Sequence, residues 1–270
     1  MFNFDNYDQL LPLVTNSLIA GALLALIGGL VGIFVMNRDM SFAVHGISEL
    51  SFAGAAIALL VGADVVGGSV VGSLVAAGII GALGAKAKER NSIVAVLMPA
   101  GLGVGILALA MYQGRAANKF GLLTGQIVAV DDPQLLWLAG ICVTVLVLLL
   151  LVWRPLNFAS LDSEVAAAKG VPTRGLSILF MLILGLSVAA SVQVVGALLV
   201  LSLLVTPAAA ALRVTASPVW APVLSVVFAL VAVIGGILLA LGAGLPISPY
   251  VTSISFLIYL GCRVVERFKK

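Results

Sequence analysis

The only histidine of the chain, His45, stands four residues before Glu49, in a segment that is apolar enough to enter a lipid bilayer, FAVHGISELSFAGAA. Side chains one helical turn apart share a helix face, with Cβ atoms about 5 to 6 Å from each other. A neutral imidazole nitrogen and a carboxylate oxygen are both ligands for divalent transition metals. The spacing therefore predicts that His45 and Glu49 can hold one metal ion together. Ser48 could add a weak oxygen ligand, although a serine in a membrane helix more often bonds its own backbone.

Two protein ligands leave the coordination shell of a metal ion incomplete, and this suits a transport pathway because the ion must also leave. A charged side chain at a bilayer centre costs about 2.5 to 3.5 kcal/mol, so Glu49 is expected to face protein or water. Because metal ligation requires a neutral imidazole, we expect metal uptake to weaken as the pH falls. Two alternatives stay open: the pair forms a proton relay, or it only fixes helix packing. A zinc protease is not indicated, because HGISE lacks the HExxH arrangement.

The composition is that of an integral membrane protein. Of 270 residues, 62% are hydrophobic and 9% are charged, whereas a soluble domain is roughly half apolar and a quarter charged. Continuous apolar runs of about 20 residues predict membrane-spanning helices. We predict an all-α, polytopic transmembrane helical bundle that forms one domain over residues 1–270. The runs indicate nine spans, or eight, near residues 11–36, 41–60, 65–85, 92–112, 135–153, 175–191, 195–212, 219–241 and 248–263.

The basic residues predict the orientation of the chain. Most of them fall on one side of the predicted spans, and only Arg115 and Lys119 fall on the other. Short loops rich in Lys and Arg stay cytoplasmic, so we expect the N-terminus outside and the C-terminus inside. Their distribution among many loops does not indicate nucleic-acid binding. The sequence has no GxxxxGK[ST] motif, so ATP-driven pumping would need a separate ATPase.

Two connecting segments are longer than simple hairpins. The inner one, residues 153–175, contains a short helical pattern that Asp162 or Ser163 can cap and that Gly170 and Pro172 can end. Such a helix would lie on the cytoplasmic face, where a partner could reach it. The outer one, residues 113–134, mixes glycines with apolar residues, which suggests a short reentrant or surface helix.

Four blocks, taken in order, resemble the permease subunits of ABC importers for zinc, manganese and related metals. RDMSFAVHGISELSFAG occupies the place of that family's DALSHAVLPG segment, and FGLLTGQIVAVDDPQLL is similar to its LFGSILAVSPEDLLLL. LDSEVAAAKGV resembles its DEEFARALGV, and SVQVVGALLVLSLLVTPAAAALRVT resembles its VSLQAVGVLLVSALLVIPAATARLLT. In one respect the chain differs: the family usually has aspartate and then histidine four residues later, whereas here His45 precedes Glu49.

The resemblance implies a permease that passes divalent metal ions, with no permanently bound cofactor and no catalytic residue of its own. It implies four kinds of partner: a cytoplasmic ATP-binding subunit, an extracytoplasmic metal-binding protein, a second permease copy and membrane lipid. It also identifies the inner helix, near residues 161–171, as the coupling helix that docks on the ATPase, with Asp162, Glu164, Ala167 and Gly170 as its matching residues. A mere surface linker is the alternative for that segment.

Three other functions remain as alternatives. A proton-coupled secondary transporter would use His45 and Glu49 as a relay and would need no ATPase. A structural membrane subunit would carry no cargo at all. An ABC permease for a metal chelate would require a wider and more aromatic pathway than this pair suggests.

Overall fold

Long apolar runs make helices the only regular structure of this chain in the part that the structure describes. The computed structural model describes residues 14–84, 87–114, 130–243 and 247–269, and no strand occurs among them. The helices are α1 (Thr15–Asn37), α2 (Ser41–Val61), α3 (Val65–Leu83), α4 (Ala87–Met111), α5 (Asp132–Leu161), α6 (Ser163–Ala168), α7 (Thr173–Val195), α8 (Val200–Leu204), α9 (Thr206–Val214), α10 (Trp220–Ala243) and α11 (Ile247–Lys269).

Eight of these helices, all except α6, α8 and α9, are long and apolar enough to cross a membrane. The prediction of an all-α, polytopic bundle is therefore confirmed. Helices α1 and α7 are the most buried of the eight, and α5 lies at the periphery. The shared core includes Leu24, Val31, Phe34, Phe180 and Leu184.

The span predicted over residues 195–212 is not one continuous helix. Gly196, with φ at 80°, ends α7, and a 3₁₀ turn at Ala197–Leu199 precedes α8 and α9. The two short helices meet at Val205, two residues before Pro207. Because proline has no backbone N–H, it cannot donate to the carbonyl of Leu203. The interruption therefore follows from local chemistry that an apolar run does not reveal.

Direct contacts between helix ends show which of them lie at the same end of the bundle. At one end, which we call the basic end, Arg90 donates to the carbonyl oxygens of Arg38 and Asp39 at 3.0 and 3.2 Å, and Arg38 bonds Ser177. At the opposite end, Asn16 donates to Asp132 at 2.8 Å. Arg38 directly follows α1 whereas Asn16 lies in its first turn, so α1 runs from one end of the bundle to the other.

The basic end holds most of the charged residues that the structure describes. Arg213 of α9 lies 3.6 Å from Glu266 of α11 there, and the turn that follows α5 lies beside Arg38. The described Arg and Lys residues at this end include Arg38, Arg90, Arg154, Lys169, Arg174, Arg213, Arg263 and Arg267. The described basic residues that the sequence places on one side therefore lie at one end of the bundle, and Arg115 and Lys119, expected on the other side, fall outside the described residues.

Helix α5 extends beyond its predicted end at residue 153. It passes through Pro155 and ends at Leu161, where Asp162 begins the next helix. Ala159 is buried in this extension against Ala166 and Leu176, and this packing offsets the hydrogen bond that the proline removes. The reentrant helix predicted within residues 113–134 falls largely on residues 115–129, outside the described residues.

Helix α2 packs unusually closely against α3 because both helices have glycine at the contact. A Cβ on Gly54 would collide with the carbonyl oxygen of Gly68, and one on Gly72 with that of Leu50. Small residues of this kind let helix backbones approach each other in lipid. Helix α2 is therefore packed tightly against α3.

We expect Gly54→Ala to destabilise the protein, because its methyl group would overlap the backbone of α3. Overpacking typically costs about 1 to 3 kcal/mol of unfolding free energy. Gly78→Ala is the matched control, since a Cβ at Gly78 of α3 meets nothing within 4 Å. Thermal unfolding in detergent measures both variants, and equal melting temperatures would contradict the close packing described here.

Candidate metal-binding site

His45 and Glu49 lie on one face of α2, as their spacing predicts. The Nε2 atom of His45 is 3.8 Å from the Oε1 atom of Glu49. Two ligand atoms that each lie about 2.0 to 2.2 Å from a shared ion are separated by roughly 3 to 4 Å at ordinary coordination angles. The pair can therefore coordinate one divalent ion with only small side-chain adjustments.

The two side chains differ in exposure. The imidazole of His45 is 29% exposed, whereas the carboxylate side chain of Glu49 is 5% exposed. The arrangement presents His45 to an approaching ion and keeps Glu49 deeper in the protein. Nδ1 of His45 is buried and has no hydrogen-bond partner in the described part of the chain.

Helix α4 packs closely against α2 beside the pair. A Cβ at Gly101 would lie 3.1 Å from the backbone carbon of Glu49, and one at Gly46 would lie 2.7 Å from the side chain of Val94. The absence of side chains at these glycines brings α4 against α2 at the level of the pair. Helices α7 and α8 also contact α2, so several elements hold the site.

Serines near the pair bond to other groups. The hydroxyl of Ser48 donates to the carbonyl oxygen of His45 at 2.7 Å, as expected for a serine in a membrane helix. One turn later, the hydroxyls of Ser51 and Ser69 lie 2.7 Å apart between α2 and α3. The Ser48 hydroxyl is therefore engaged by the backbone, and the candidate metal ligands on α2 are His45 and Glu49.

This chain alone does not complete a metal site among the residues that the structure describes. No group of three or more His, Cys, Asp or Glu side chains converges there on a point that could hold an ion. An ion between His45 and Glu49 must complete its shell with water or with groups from another chain. Such a partial shell suits a site that releases its ion.

The predicted coupling segment has the local structure that its sequence indicates. Asp162 caps α6 by accepting hydrogen bonds from the backbone N–H groups of Glu164 and Val165, each at 3.0 Å. Gly170, at φ 82°, turns the chain after the helix. Only Ala166 of α6 is buried, so Glu164 and Ala167 are exposed, as a docking helix requires.

Comparison with known proteins now decides the family. The ABC 3 transport family matches residues 11–266, nearly the whole chain. The chain belongs to the ABC 3 transport family. This member is therefore a polytopic membrane permease of an ABC transporter, which is not itself catalytic, and the family prediction is confirmed.

Relatives of this ABC 3 protein carry names that state the metal they transport. The manganese transport system membrane protein MntC of Halalkalibacterium halodurans is 30% identical over 234 residues, which cover 86% of this chain and 80% of MntC. The high-affinity zinc uptake system membrane protein ZnuB of Haemophilus influenzae is 24% identical over 227 residues, or 83% and 86% of the two chains.

A solved structure supports the fold of this ABC 3 permease. A chain of PsaBC from Streptococcus pneumoniae, in complex with Fab, superposes with a TM-score of 0.85, covers 98% of both chains and is 24% identical. The likeness covers nearly the whole chain and shows a shared fold.

Sequence reasoning missed the burial of two arginines in this ABC 3 permease. The sequence places Arg38 and Arg90 only among the basic residues of one side, yet Arg90 is 7% exposed and both guanidinium groups contact neighbouring elements. A weak signal was available: Arg90 stands three residues before the start of a long apolar run at Ile93, where helix packing can bury it.

Proposed function

We propose that this permease carries a divalent transition metal ion, manganese or zinc, into the cytoplasm, and that the ion passes between His45 and Glu49. The observation that carries the proposal is the 3.8 Å separation of Nε2 and Oε1 on a membrane helix. Manganese and zinc are the metals in the names of MntC and ZnuB. Imidazole with carboxylate is a suitable donor set for either ion.

A second copy of the permease would complete the pathway. The partial shell of two ligands in the described residues and the exposed edge of the His45 ring support this. If two copies placed their α2 helices across a shared path, four ligands would surround one ion. Four ligands from two identical chains would make a symmetric site.

The basic end is proposed to face the cytoplasm. Most of the described Arg and Lys residues gather there, and such residues in short loops are retained on the cytoplasmic side. Helix α1 would then start outside, and α11 would end inside. An extracytoplasmic metal-binding protein would deliver the ion to the opposite end of the bundle.

A cytoplasmic ATP-binding subunit is proposed to drive transport through α6. The exposed face of this capped helix, with Glu164 and Ala167, lies at the basic end. Its buried residue, Ala166, contacts Ala159 of α5 and Leu176 of α7. A push on α6 would therefore move the ends of two membrane-spanning helices.

Reconstitution into proteoliposomes, together with the ATPase purified in complex with this chain, tests the proposal. We expect uptake of radioactive Mn²⁺ or Zn²⁺ that requires ATP hydrolysis and that persists when a protonophore abolishes the pH gradient. Uptake that needs the gradient and proceeds without ATP would instead establish a proton-coupled transporter. If neither ATP nor the pH gradient supports metal uptake, the chain would be a structural subunit that carries no cargo.

A further inference from the structure

A polar cavity of about 520 Å³ opens at the basic end, apart from the metal pair. It lies between the C-terminal ends of α1, α3 and α5 and the N-terminal ends of α4 and α7. Three arginines line it, Arg38, Arg90 and Arg174, together with a single acidic residue, Asp39. The described lining therefore carries an excess of positive charge.

Two of these guanidinium groups are held in place with unused hydrogen-bonding capacity. Arg90 is more than nine-tenths buried, and one of its Nη atoms donates to two backbone carbonyls. Arg38 bonds Ser177 and lies over the ring of Phe180, with its Cζ 5.6 Å from the ring centroid. Nε of Arg90 and Nη1 of Arg38 find no partner in the described chain.

The surroundings of Arg38 disfavour its positive charge. Burial, and then repulsion by the nearby Arg90, lower the pKa of Arg38 below its ordinary value. A buried charge without a counter-charge is costly, so an anion that entered the cavity would offset the repulsion between Arg38 and Arg90. Phosphate oxygens match the guanidinium fork geometrically.

We propose that this cavity binds the phosphate group of an anionic phospholipid from the leaflet at the basic end. Basic pockets between membrane helices at the cytoplasmic side are suited to lipid head groups. The rim also provides apolar surface for acyl chains, because Leu161 at the cavity is 79% exposed and Leu83, beside the lining residues Ala82 and Gly84, is 63% exposed. A free anion would gain nothing from that rim.

Bound lipid would join three structural parts of the permease. The cavity is lined by Ser160 and Ser163 on either side of the turn into α6, and by Arg174 at the start of α7. A head group there would bridge α6 to the α1–α2 connection through Arg38. Lipid composition is therefore expected to affect the position of α6.

Native mass spectrometry of the purified full-length chain tests the proposal, with phosphatidylglycerol and phosphatidylcholine as probes. We expect preferential retention of phosphatidylglycerol, and about a fivefold loss of that preference for each of Arg38→Gln and Arg174→Gln. Arg154→Gln is the matched control, because it removes an exposed positive charge of the same end without lining the cavity.

Arg174→Gln keeps the test decisive if Arg38→Gln does not fold, because the Arg174 side chain is exposed at the cavity rim. Equal retention of phosphatidylglycerol by the wild type, Arg174→Gln and Arg154→Gln would overturn the proposal. It would also be overturned if inorganic phosphate displaced the lipid signal completely, since the site would then recognise the free ion. None of these outcomes depends on metal transport, so failure here leaves the proposed function intact.

Discussion

Replacing either member of the metal pair, by His45→Gln or Glu49→Gln, is expected to lower metal uptake at limiting metal concentration by at least about tenfold. Loss of even an outer-shell partner of a metal site typically costs 10- to 100-fold in affinity or activity, and these residues would contact the ion itself. Glu49→Gln keeps the size of a side chain that is almost fully buried. Uptake of radioactive metal into proteoliposomes measures the effect.

Ser48→Ala is the matched control for these variants. Ser48 lies on the same helix between the two ligands and is fully buried, but its hydroxyl bonds the backbone of His45. We expect it to retain most of the uptake. Normal uptake by both His45→Gln and Glu49→Gln, in proteins that are folded, would disprove the metal path proposed here.

An exchange variant, His45→Glu with Glu49→His, separates ligand chemistry from ligand order. Both donor types remain one turn apart on α2, so we expect this double variant to recover uptake relative to either single glutamine variant. No recovery would show that the buried position requires a carboxylate and the exposed one an imidazole. In that case the order of the pair itself would matter for the ion.

The second large effect is expected from Ala167→Arg on α6. A hot-spot residue of a protein interface contributes about 2 kcal/mol or more, equivalent to roughly 30-fold in association. An arginine at this exposed position would obstruct docking of an ATPase, whereas the buried anchor Ala166 would be untouched. ATP-driven uptake should fall at least about tenfold while the melting temperature stays unchanged.

Ala216→Arg makes the same chemical change at another exposed alanine of the basic end, in the connection between α9 and α10. We expect it to leave uptake near the wild-type level. Co-purification of the ATPase with each variant provides a second readout, because a docking defect should reduce the amount recovered with Ala167→Arg. If Ala167→Arg supports normal uptake and recovery, α6 is a surface linker and the coupling proposal fails.

The two experiments test ion binding at α2 and ATPase docking at α6 separately. His45 lies in the second turn of α2, whose start contacts Arg90 through the carbonyls of Arg38 and Asp39. Helix α6 lies at the same end, next to the cavity that Arg38 lines. Movement of α6 can therefore reach α2 through a short series of contacts. Variants at Arg38 and Arg174 would test that connection separately from ion binding.

The amino-acid sequence by itself determined which segments become helices and which side chains share a helix face. Continuous apolar runs must satisfy their backbone groups internally within lipid, so the eight long helices follow from local composition. The register of His45 and Glu49 follows from helix geometry over four residues. Asp162 as a helix cap is equally local, because its partners are two and three residues away.

Only the tertiary structure decided which of these residues meet across the bundle. It buried Glu49 and left His45 partly exposed, because α4 packs through Gly101 against the backbone at Glu49. It also brought Arg90 to the carbonyl of Arg38, 52 positions away in the chain. Such contacts depend on the shapes of facing helices, which hydropathy does not encode, and this is why the sequence predicted the pair but not the basic cavity.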